Sequence, residues 1–349
     1  MIRRGLLPGL AALAVAAALV LPSRAPRVHS ATLYVFGTLV EVVIEGVPEA
    51  RAAAATAELG QLFQTIHRDW HAWAPGGELS SINAAIAQGV PAPVTPGLAA
   101  LLREGQALSA ASGGLFDPGI GAEVALWGFH DDLPPEGPPP AEARIARLRA
   151  AHPSIADLTI TDRVTSSNPM VSLDLGAFAK GAALDLGRER LRALGIENAV
   201  LNAGGGVEVM GTRHGRPWRV AIRNPFDWGA VAAVELRPGE VVHTSGNYER
   251  FLEAGGVRLS HILDPRTARP VTGIVSATVL DTSGTRADAA STALSVAGPE
   301  HWRSVAAAMG VTHALVIDDT GAIAMTDAMR DRVTLTDPAG RPVDLAMAR

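Results

Sequence analysis

The 349-residue sequence contains no cysteine. A chain without thiols can form no disulfide and no thiolate metal site, and it cannot carry a lipid anchor on a cysteine behind a signal peptide. It also lacks clusters of lysine and arginine beyond its first few residues, and its formal net charge is −5. Nucleic-acid binding needs a basic surface, so this composition excludes it as the main function.

Two glycine motifs of well-known enzyme classes are absent as well. The glycines of NAGGG (202–206) do not have the G-x-G-x-x-G spacing of a dinucleotide-binding turn, and the residues after them favour a strand instead of a helix. Close backbone approach inside a sheet explains these glycines better. No G-x-S-x-G occurs, which argues against a hydrolase with a serine nucleophile elbow.

The first 30 residues have the composition of an export signal. Arg3 and Arg4 precede an apolar run at 5–22, and the small residues that follow offer a cleavage site near Ala25. The run is also close to the roughly 18 to 20 residues that span a bilayer, so an uncleaved membrane anchor is the alternative. Both interpretations place the remaining chain outside the cytoplasm, in the periplasm or on the outer face of the inner membrane.

Strand and helix patterns alternate irregularly along the remaining chain. Strand-like segments that follow one another without intervening helices indicate an α+β fold with a large, mainly antiparallel sheet and flanking helices. We assign 31–330 to one domain and 331–349 to a C-terminal tail. The local predictions are a long strand at 31–46 broken or bulged at Gly37, helices near 48–67, 96–112 and 180–194, a loop at 70–83, an exposed proline-rich connection at 131–141, and two strands around the turn at 166–169.

Oxygen-bearing side chains recur in RADAASTALSVAG (286–298). Asp288 and Thr292 are four residues apart and therefore share one face of the predicted helix, with Ser291 beside them. A carboxylate and hydroxyls suit a hard cation such as Mg²⁺, which completes its coordination with waters and substrate phosphates. The alternative is an aspartate that serves the helix dipole or a cap.

A second candidate segment is LDLGAFAKG (173–181). Asp174 ends an apolar stretch, and the small residues after it leave the backbone open, so that a carbonyl near Ala177 could reach a cation. Asp174 and Lys180 could hydrogen-bond a polar ligand. The alternative role for Asp174 is the N-cap of the following helix.

The third candidate region joins HTSGNYERF (243–251) to SHILDPRTARP (260–270). The hydroxyls of Thr244 and Ser245 next to Gly246 resemble a phosphate cradle. His261 could accept a proton from an attacking hydroxyl, because a neutral imidazole is a competent base near pH 7. A satisfied structural histidine is the alternative.

Taken in order, these segments resemble the ApbE family of FAD:protein FMN transferases, from about residue 31 to residue 326. ELSSIN is similar to the family's S-x-L-S-x-x-N, FDPGIGAEVALWGF to FDPTVGPLVNLWGF, and LDLGAFAKG to LDLGGIAKG. Further matching segments follow in family order: NAGGGVEVMG, PWRVAIRNP, HTSGNYERF, SHILDPRTARP and RADAASTALSVAG.

The resemblance implies an ApbE-like, T-fold-related architecture and a full set of site residues. It implies Mg²⁺ bound by the backbone oxygen of Ala177 with Asp288 and Thr292, with Ser291 where some members place an additional ligand. It assigns the base to His261. The implied FAD contacts are Phe36, Trp73, Leu115, Phe116, Asp117, Asp174, Lys180 and Leu263.

The implied reaction is the attack of a Thr or Ser hydroxyl of a target protein on the FMN-side phosphorus of FAD, with AMP leaving. Family targets are flavoprotein subunits of membrane redox complexes that face outside, which agrees with the export signal. Two alternatives stay open: an FAD pyrophosphatase that releases free FMN, and a non-catalytic periplasmic flavin-binding protein.

Several positions depart from the family pattern. Phe36 replaces a Met, Trp73 replaces a Tyr, and Gly119, Ala122 and Ala125 replace the Thr, Pro and Asn of the FDPTVGPLVN segment. These changes alter the shape of the pocket more than its charge. Ala268 stands where the family has Gly in DPRTG, so we expect a different local geometry if that turn needs a positive φ.

Overall fold

A computed structural model describes residues 28–130, 133 and 135–336 of the chain. Most of the predicted export signal lies outside these residues, but the first strand already begins at Val28. Among the described residues, no helix combines the length and apolarity needed to cross a membrane.

The described residues form eight α-helices and one short 3-10 helix at Ile155–Asp157. The helices are α1 Glu49–Trp70, α2 Glu78–Gln88, α3 Pro96–Ala111, α4 Gly121–Leu126, α5 Glu142–Ala151, α6 Ala179–Ala193, α7 Gly284–Ala308 and α8 Asp327–Arg330. The strands are β1 Val28–Val35, β2 Thr38–Glu45, β3 Ala92–Pro93, β4 Leu158–Ile160, β5 Arg163–Ser166, β6 Asn198–Ala203, β7 Gly206–Met210, β8 Trp218–Arg223, β9 Ala230–Leu236, β10 Val241–Gly246, β11 Phe251–Ala254, β12 Val257–Ser260, β13 Leu263–Asp264, β14 Arg269–Pro270, β15 Ile274–Asp281, β16 His313–Asp318, β17 Ile323–Met325 and β18 Val333–Leu335.

One eight-stranded sheet organises the molecule, with the order β1-β2-β6-β7-β10-β15-β16-β17. All seven neighbouring pairs are antiparallel. This confirms the predicted α+β fold with a large antiparallel sheet. A three-stranded sheet, β18-β9-β8, includes residues of the segment that we assigned to the C-terminal tail, because β18 pairs with β9.

The two faces of the large sheet are covered differently. On one face, the alanine-rich first half of α7 packs on alternate residues of the central strands, such as Val241, Ala277 and Val316. On the other face, Val242 and Leu315 belong to a cluster with the small β18-β9-β8 sheet. Burying one large apolar side chain contributes about 1.5–3 kcal/mol, so this two-sided cover fixes the register of the sheet.

The N-terminal strand prediction was wrong in its detail. Residues 28–45 form a hairpin, in which Val35 pairs with Thr38 across a two-residue turn at Phe36 and Gly37. Both turn residues have positive φ, 60° and 67°, which is the backbone of a type I′ turn. Phe36 is an unusual residue for such a turn, and its ring packs 5.6 Å from that of Phe63. Tertiary packing therefore supports a turn that local preference does not.

Two other local predictions need correction. The predicted loop at 70–83 is a loop only up to Gly77, because α2 begins at Glu78. The predicted strand after the turn at 166–169 is reduced to a single bridge between Ile120 and Ser172. That short contact is enough to place the following LDLG segment beside the FDPG segment.

Candidate active site

A single cavity of about 690 Å³ collects the residues that the sequence analysis singled out. Its volume lies in the range of small-molecule and cofactor sites, roughly 300–1,000 Å³. The predicted site residues that line it are Phe36, Trp73, Leu115, Phe116, Asp117, Asp174, Ala177, Lys180, His261, Leu263, Asp288 and Thr292. Ser291 is fully buried and is not part of the wall.

In the central part of the cavity wall, strand β10 faces helix α7. His243 and Ser245 are two residues apart on β10, so both side chains point to the same face of the sheet. Asp288 and Thr292 are four residues apart on α7 and share one face of that helix. The two strand residues are separated by about 6.8 Å along β10, and the two helix residues by about 6 Å along α7. These similar spacings allow two contacts side by side between the strand and the helix.

The first contact of this pair involves Asp288. Its Oδ1 lies 3.7 Å from Nδ1 of His243, and its Oδ2 accepts a hydrogen bond from the backbone N–H of Gly181 at 3.0 Å. Burial opposes ionisation, but the nearby Lys180 ammonium, His243 and the Gly181 N–H outweigh it and lower the pKa of Asp288. The N-cap of α7 is Ser283, so Asp288 is not a capping residue.

Close helix packing makes the Gly181 contact available. A Cβ atom on Gly181 would lie 2.1 Å from the carbonyl oxygen of Gly284. Only glycine therefore lets the start of α6 approach α7 closely enough for its N–H to reach the Asp288 carboxylate.

The second contact of the pair is a hydroxyl cluster. Ser245 Oγ lies 2.7 Å from Ser291 Oγ and 3.2 Å from Thr292 Oγ1. Ser291 also donates to the backbone oxygen of Asp288 at 2.9 Å. Ser291 therefore lies behind Ser245 and orients its hydroxyl, while Ser245 and Thr292 line the cavity.

The oxygens in this part of the cavity fit a hard divalent cation. No group of three His, Cys, Asp or Glu residues with metal-binding geometry occurs in the described part of the chain. An ion would therefore be held by one carboxylate, from Asp288, with neutral oxygens from Thr292 and the Ala177 backbone. Mg²⁺ prefers this kind of sparse oxygen site, since it keeps waters and takes phosphate oxygens from the substrate.

His261 is held in one tautomer. Its Nδ1 lies 3.0 Å from the carbonyl oxygen of Arg250, which can only accept a hydrogen bond. Nδ1 must therefore carry the hydrogen, and Nε2 keeps the lone pair. Burial lowers the pKa of His261 to about 4, so the ring is neutral near pH 7. A neutral imidazole with a free lone pair can accept a proton.

Asp174 and Trp73 join two walls of the cavity. The indole Nε1 of Trp73 donates to Asp174 Oδ2 at 3.2 Å, and the Gly176 N–H donates to Oδ1 at 2.8 Å. Lys180 donates to the backbone oxygen of Gly176 at 3.2 Å. The N-cap of α6 is Phe178, without a side-chain cap, so the alternative of Asp174 as N-cap was wrong.

Asp117 has a structural role that the sequence did not reveal. One oxygen accepts from the N–H groups of Gly119 and Ile155, at 2.7 and 2.8 Å, and the other from the hydroxyls of Ser109 and Ser154. Burial nevertheless raises its pKa. Four donors already occupy the carboxylate, so Asp117 holds the wall of the cavity together.

The structure adds His243 to the site. It is only 1% exposed, and a Cβ on the adjacent Gly206 would lie 2.4 Å from its ring. The glycine-rich NAGGG segment thus makes room for a side chain of the cavity, in agreement with its predicted role of close approach. Side chains alternate between the two faces along β10, so His243 shares a face with Ser245. This alternation was the sequence signal that could have identified His243.

Ala268 has a left-handed backbone conformation. Its φ is 55°, its side chain is fully buried, and its carbonyl oxygen accepts from Trp127 Nε1 at 2.8 Å. An alanine at this position therefore does not prevent a positive φ. The turn has the left-handed conformation despite the steric strain that the alanine Cβ introduces.

Comparisons with known proteins agree with this fold. The model of the ApbE family matches residues 36–316, and the chain belongs to that family. It is 59% identical over 315 residues to an FAD:protein FMN transferase of Rhodobacter capsulatus, which covers 90% of this chain and 60% of that relative. The chain thus spans less than two thirds of that protein's length. A Vibrio cholerae FAD:protein FMN transferase is 34% identical, over 74% of this chain and 78% of the relative.

Solved structures show the same architecture. The ApbE protein of Thermotoga maritima superposes with a TM-score of 0.80 at 28% identity, covering 88% of this chain and 99% of the other. The flavin transferase ApbE of Vibrio cholerae gives a TM-score of 0.78 at 29% identity, covering 88% and 100% of the two chains.

Proposed function

We propose that this protein is an FAD:protein FMN transferase, which cleaves FAD and links the FMN half to a Thr or Ser hydroxyl of a target flavoprotein. The observation that carries the proposal is the convergence, in one cavity, of an oxygen cluster at Asp288 and Thr292 with His261 in its base-competent tautomer. The relatives named as FAD:protein FMN transferases support the same activity.

The reaction exchanges one phosphorus–oxygen bond for another. The target hydroxyl forms a bond to the FMN-side phosphorus, the bond from that phosphorus to the bridging oxygen breaks, and AMP leaves. Nε2 of His261 takes the hydroxyl proton, which raises the nucleophilicity of a weak alcohol. Lys180 lies in the same wall as Asp288, where its ammonium would counter the charge of the diphosphate.

Magnesium is part of this proposal. Asp288, Thr292 and the backbone oxygen of Ala177 would hold the ion. When bound, Mg²⁺ would withdraw electron density from the diphosphate and stabilise the leaving AMP. The lowered pKa of Asp288 keeps its carboxylate ionised at neutral pH, as a cation ligand must be.

An assay with three readouts tests the function. The protein is mixed with FAD, Mg²⁺ and a candidate acceptor subunit, with and without EDTA, and the products are followed by mass spectrometry. A covalent FMN adduct on the acceptor together with free AMP, both lost in EDTA, is the expected result. Free FMN with no adduct on any tested acceptor would indicate the pyrophosphatase instead. Intact FAD after hours with Mg²⁺ would indicate a flavin-binding protein.

We further propose that the protein works outside the cytoplasm on a flavoprotein subunit of a membrane redox complex. The support is the Arg-Arg start and apolar run of residues 3–22, a pattern typical of exported chains. A fusion of residues 1–30 to a reporter that is active only after export tests this. Reporter activity that persists after deletion of the apolar run would contradict it.

A further inference from the structure

His243 is a buried imidazole whose Nε2 has no hydrogen-bond partner among the described residues. Its Nδ1 lies 3.7 Å from Asp288 Oδ1, a separation longer than an ordinary hydrogen bond. A buried polar side chain in this state costs free energy unless another group completes it.

The position of the ring limits what that group can be. His243 lines the cavity together with Ser245 and with Asp288 and Thr292, two residues of the proposed cation site. Two ligands that each lie about 2.1 Å from one ion are between about 3.0 Å apart, at a right angle, and about 4.2 Å apart, in line. The observed 3.7 Å between Nδ1 and Oδ1 falls inside this interval.

We propose that His243 is an additional, nitrogen ligand of the cation site. The site then binds a first-row divalent transition ion more tightly than it binds Mg²⁺. An all-oxygen set of ligands suits magnesium, whereas imidazole raises the affinity for ions from manganese to zinc. This inference rests on the cation site of the proposed function, and it assigns that site a metal preference which Asp288, Thr292 and Ala177 alone do not create.

The local packing keeps the imidazole in place for such a role. Gly206 leaves space for the ring, since a Cβ there would lie 2.4 Å from Cε1 and 2.7 Å from Nδ1. The antiparallel pairing of His243 with Gly206 and with Val279 fixes the backbone on both sides. The ring is therefore directed toward α7 by the sheet itself.

Manganese provides a direct spectroscopic test. The full-length protein is loaded with Mn²⁺, with and without FAD, and pulsed electron paramagnetic resonance is used to detect nitrogen-14 modulation from a bound imidazole. The expected result is a nitrogen signal in the wild type that disappears in His243→Asn and persists in His130→Asn. His130 is the matched control, because it is another histidine of the same cavity wall.

Calorimetric titration of the same three proteins gives the energetic counterpart. His243→Asn is expected to weaken Mn²⁺ binding by about 10- to 100-fold, as for other changes in metal coordination, and Mg²⁺ binding by less than about threefold. Equal losses for the two metals, or Mn²⁺ bound without nitrogen modulation in the wild type, would overturn the role of His243 while leaving the cation site intact. Failure of every divalent ion to bind, even with FAD, would overturn the site and the proposed function together. The wild-type spectrum decides the matter even if the variant misfolds.

Discussion

Trp73 and Asp174, 101 residues apart in the chain, are joined by a 3.2 Å hydrogen bond from the indole Nε1 to Oδ2. The bond ties the loop after α1 to the turn that precedes α6. Both residues line the cavity, so the bond also fixes the distance between two of its walls. A small change at this bond should therefore alter the affinity for FAD.

Replacing Trp73 by Phe tests this link. The variant keeps an aromatic ring in the wall but removes the donor to Asp174, which contributes about 1 kcal/mol. We expect FAD affinity to fall by roughly fivefold in a fluorescence titration. Trp228→Phe is the control, because Trp228 is 90% exposed. Unchanged FAD affinity in the Trp73 variant would show that the bond does not shape the site.

Asp288 should be essential for catalysis without being needed for folding. Asp288→Asn keeps the shape and an acceptor for the Gly181 N–H but removes the negative charge. We expect FMN transfer to fall by at least about 100-fold, and the thermal midpoint to stay near that of the wild type. Asp327→Asn changes the same charge on a side chain that is 99% exposed and should be neutral in both measurements. Retention of transfer by Asp288→Asn would remove this residue from the cation site.

The lowered pKa of His261 predicts an unusual pH dependence of kcat/KM. Its pKa is lowered to about 4, so the neutral, basic form persists well below pH 6. We expect kcat/KM to lack a histidine limb near pH 6.5 and to fall only as the pH approaches 4. His261→Gln should reduce turnover by about 100- to 10,000-fold with a smaller effect on FAD affinity. A limb near pH 6.5 that disappears in this variant would contradict the lowered pKa.

The same shift predicts how stability depends on pH. The unfolded chain binds a proton at His261 with a pKa near 6.5, whereas the folded protein binds it only near 4. The neutral ring therefore contributes its full stability above pH 6.5, and this contribution is lost as the pH falls from 6.5 towards 4. Denaturant titrations of the wild type and of His261→Gln should show a smaller acid destabilisation in the variant. Parallel curves would contradict this linkage.

Ala268 offers a test of backbone strain. It holds a φ of 55° in a fully buried position. Ala268→Gly relieves the left-handed strain but loses a buried methyl group, so its unfolding free energy should change by less than about 1 kcal/mol. Ala268→Val should lower the free energy of unfolding by more than about 2 kcal/mol, because a branched side chain would clash with its neighbours in addition to the backbone strain. Ala307→Val, on the exposed face of α7, is the control, with a cost below about 1 kcal/mol. An unchanged denaturation midpoint in Ala268→Val would contradict the prediction.

Much of this molecule could be predicted from the sequence because the deciding interactions are local. Strand-like segments without intervening helices predicted the antiparallel sheet, since strands joined by short connections pair with their neighbours. Asp288 and Thr292 could be placed together because helical spacing alone puts them on one face. The glycines of 202–206 indicated close approach before any neighbour was known.

The tertiary structure alone decided the features that depend on partners distant in the chain. The sequence predicted one long strand broken or bulged at Gly37, whereas the structure has a hairpin turn at Phe36 and Gly37 with the Phe36 ring packed on Phe63. Asp117 became a structural acceptor because Ser154 and Ile155 come to it from 37 and 38 residues away. Strand alternation could place the His243 side chain on the face of Ser245, but only the tertiary structure brought it against Gly206 and Asp288. Residue types and spacing determined which chemical groups this protein has, whereas packing between distant segments determined which of them face the cavity.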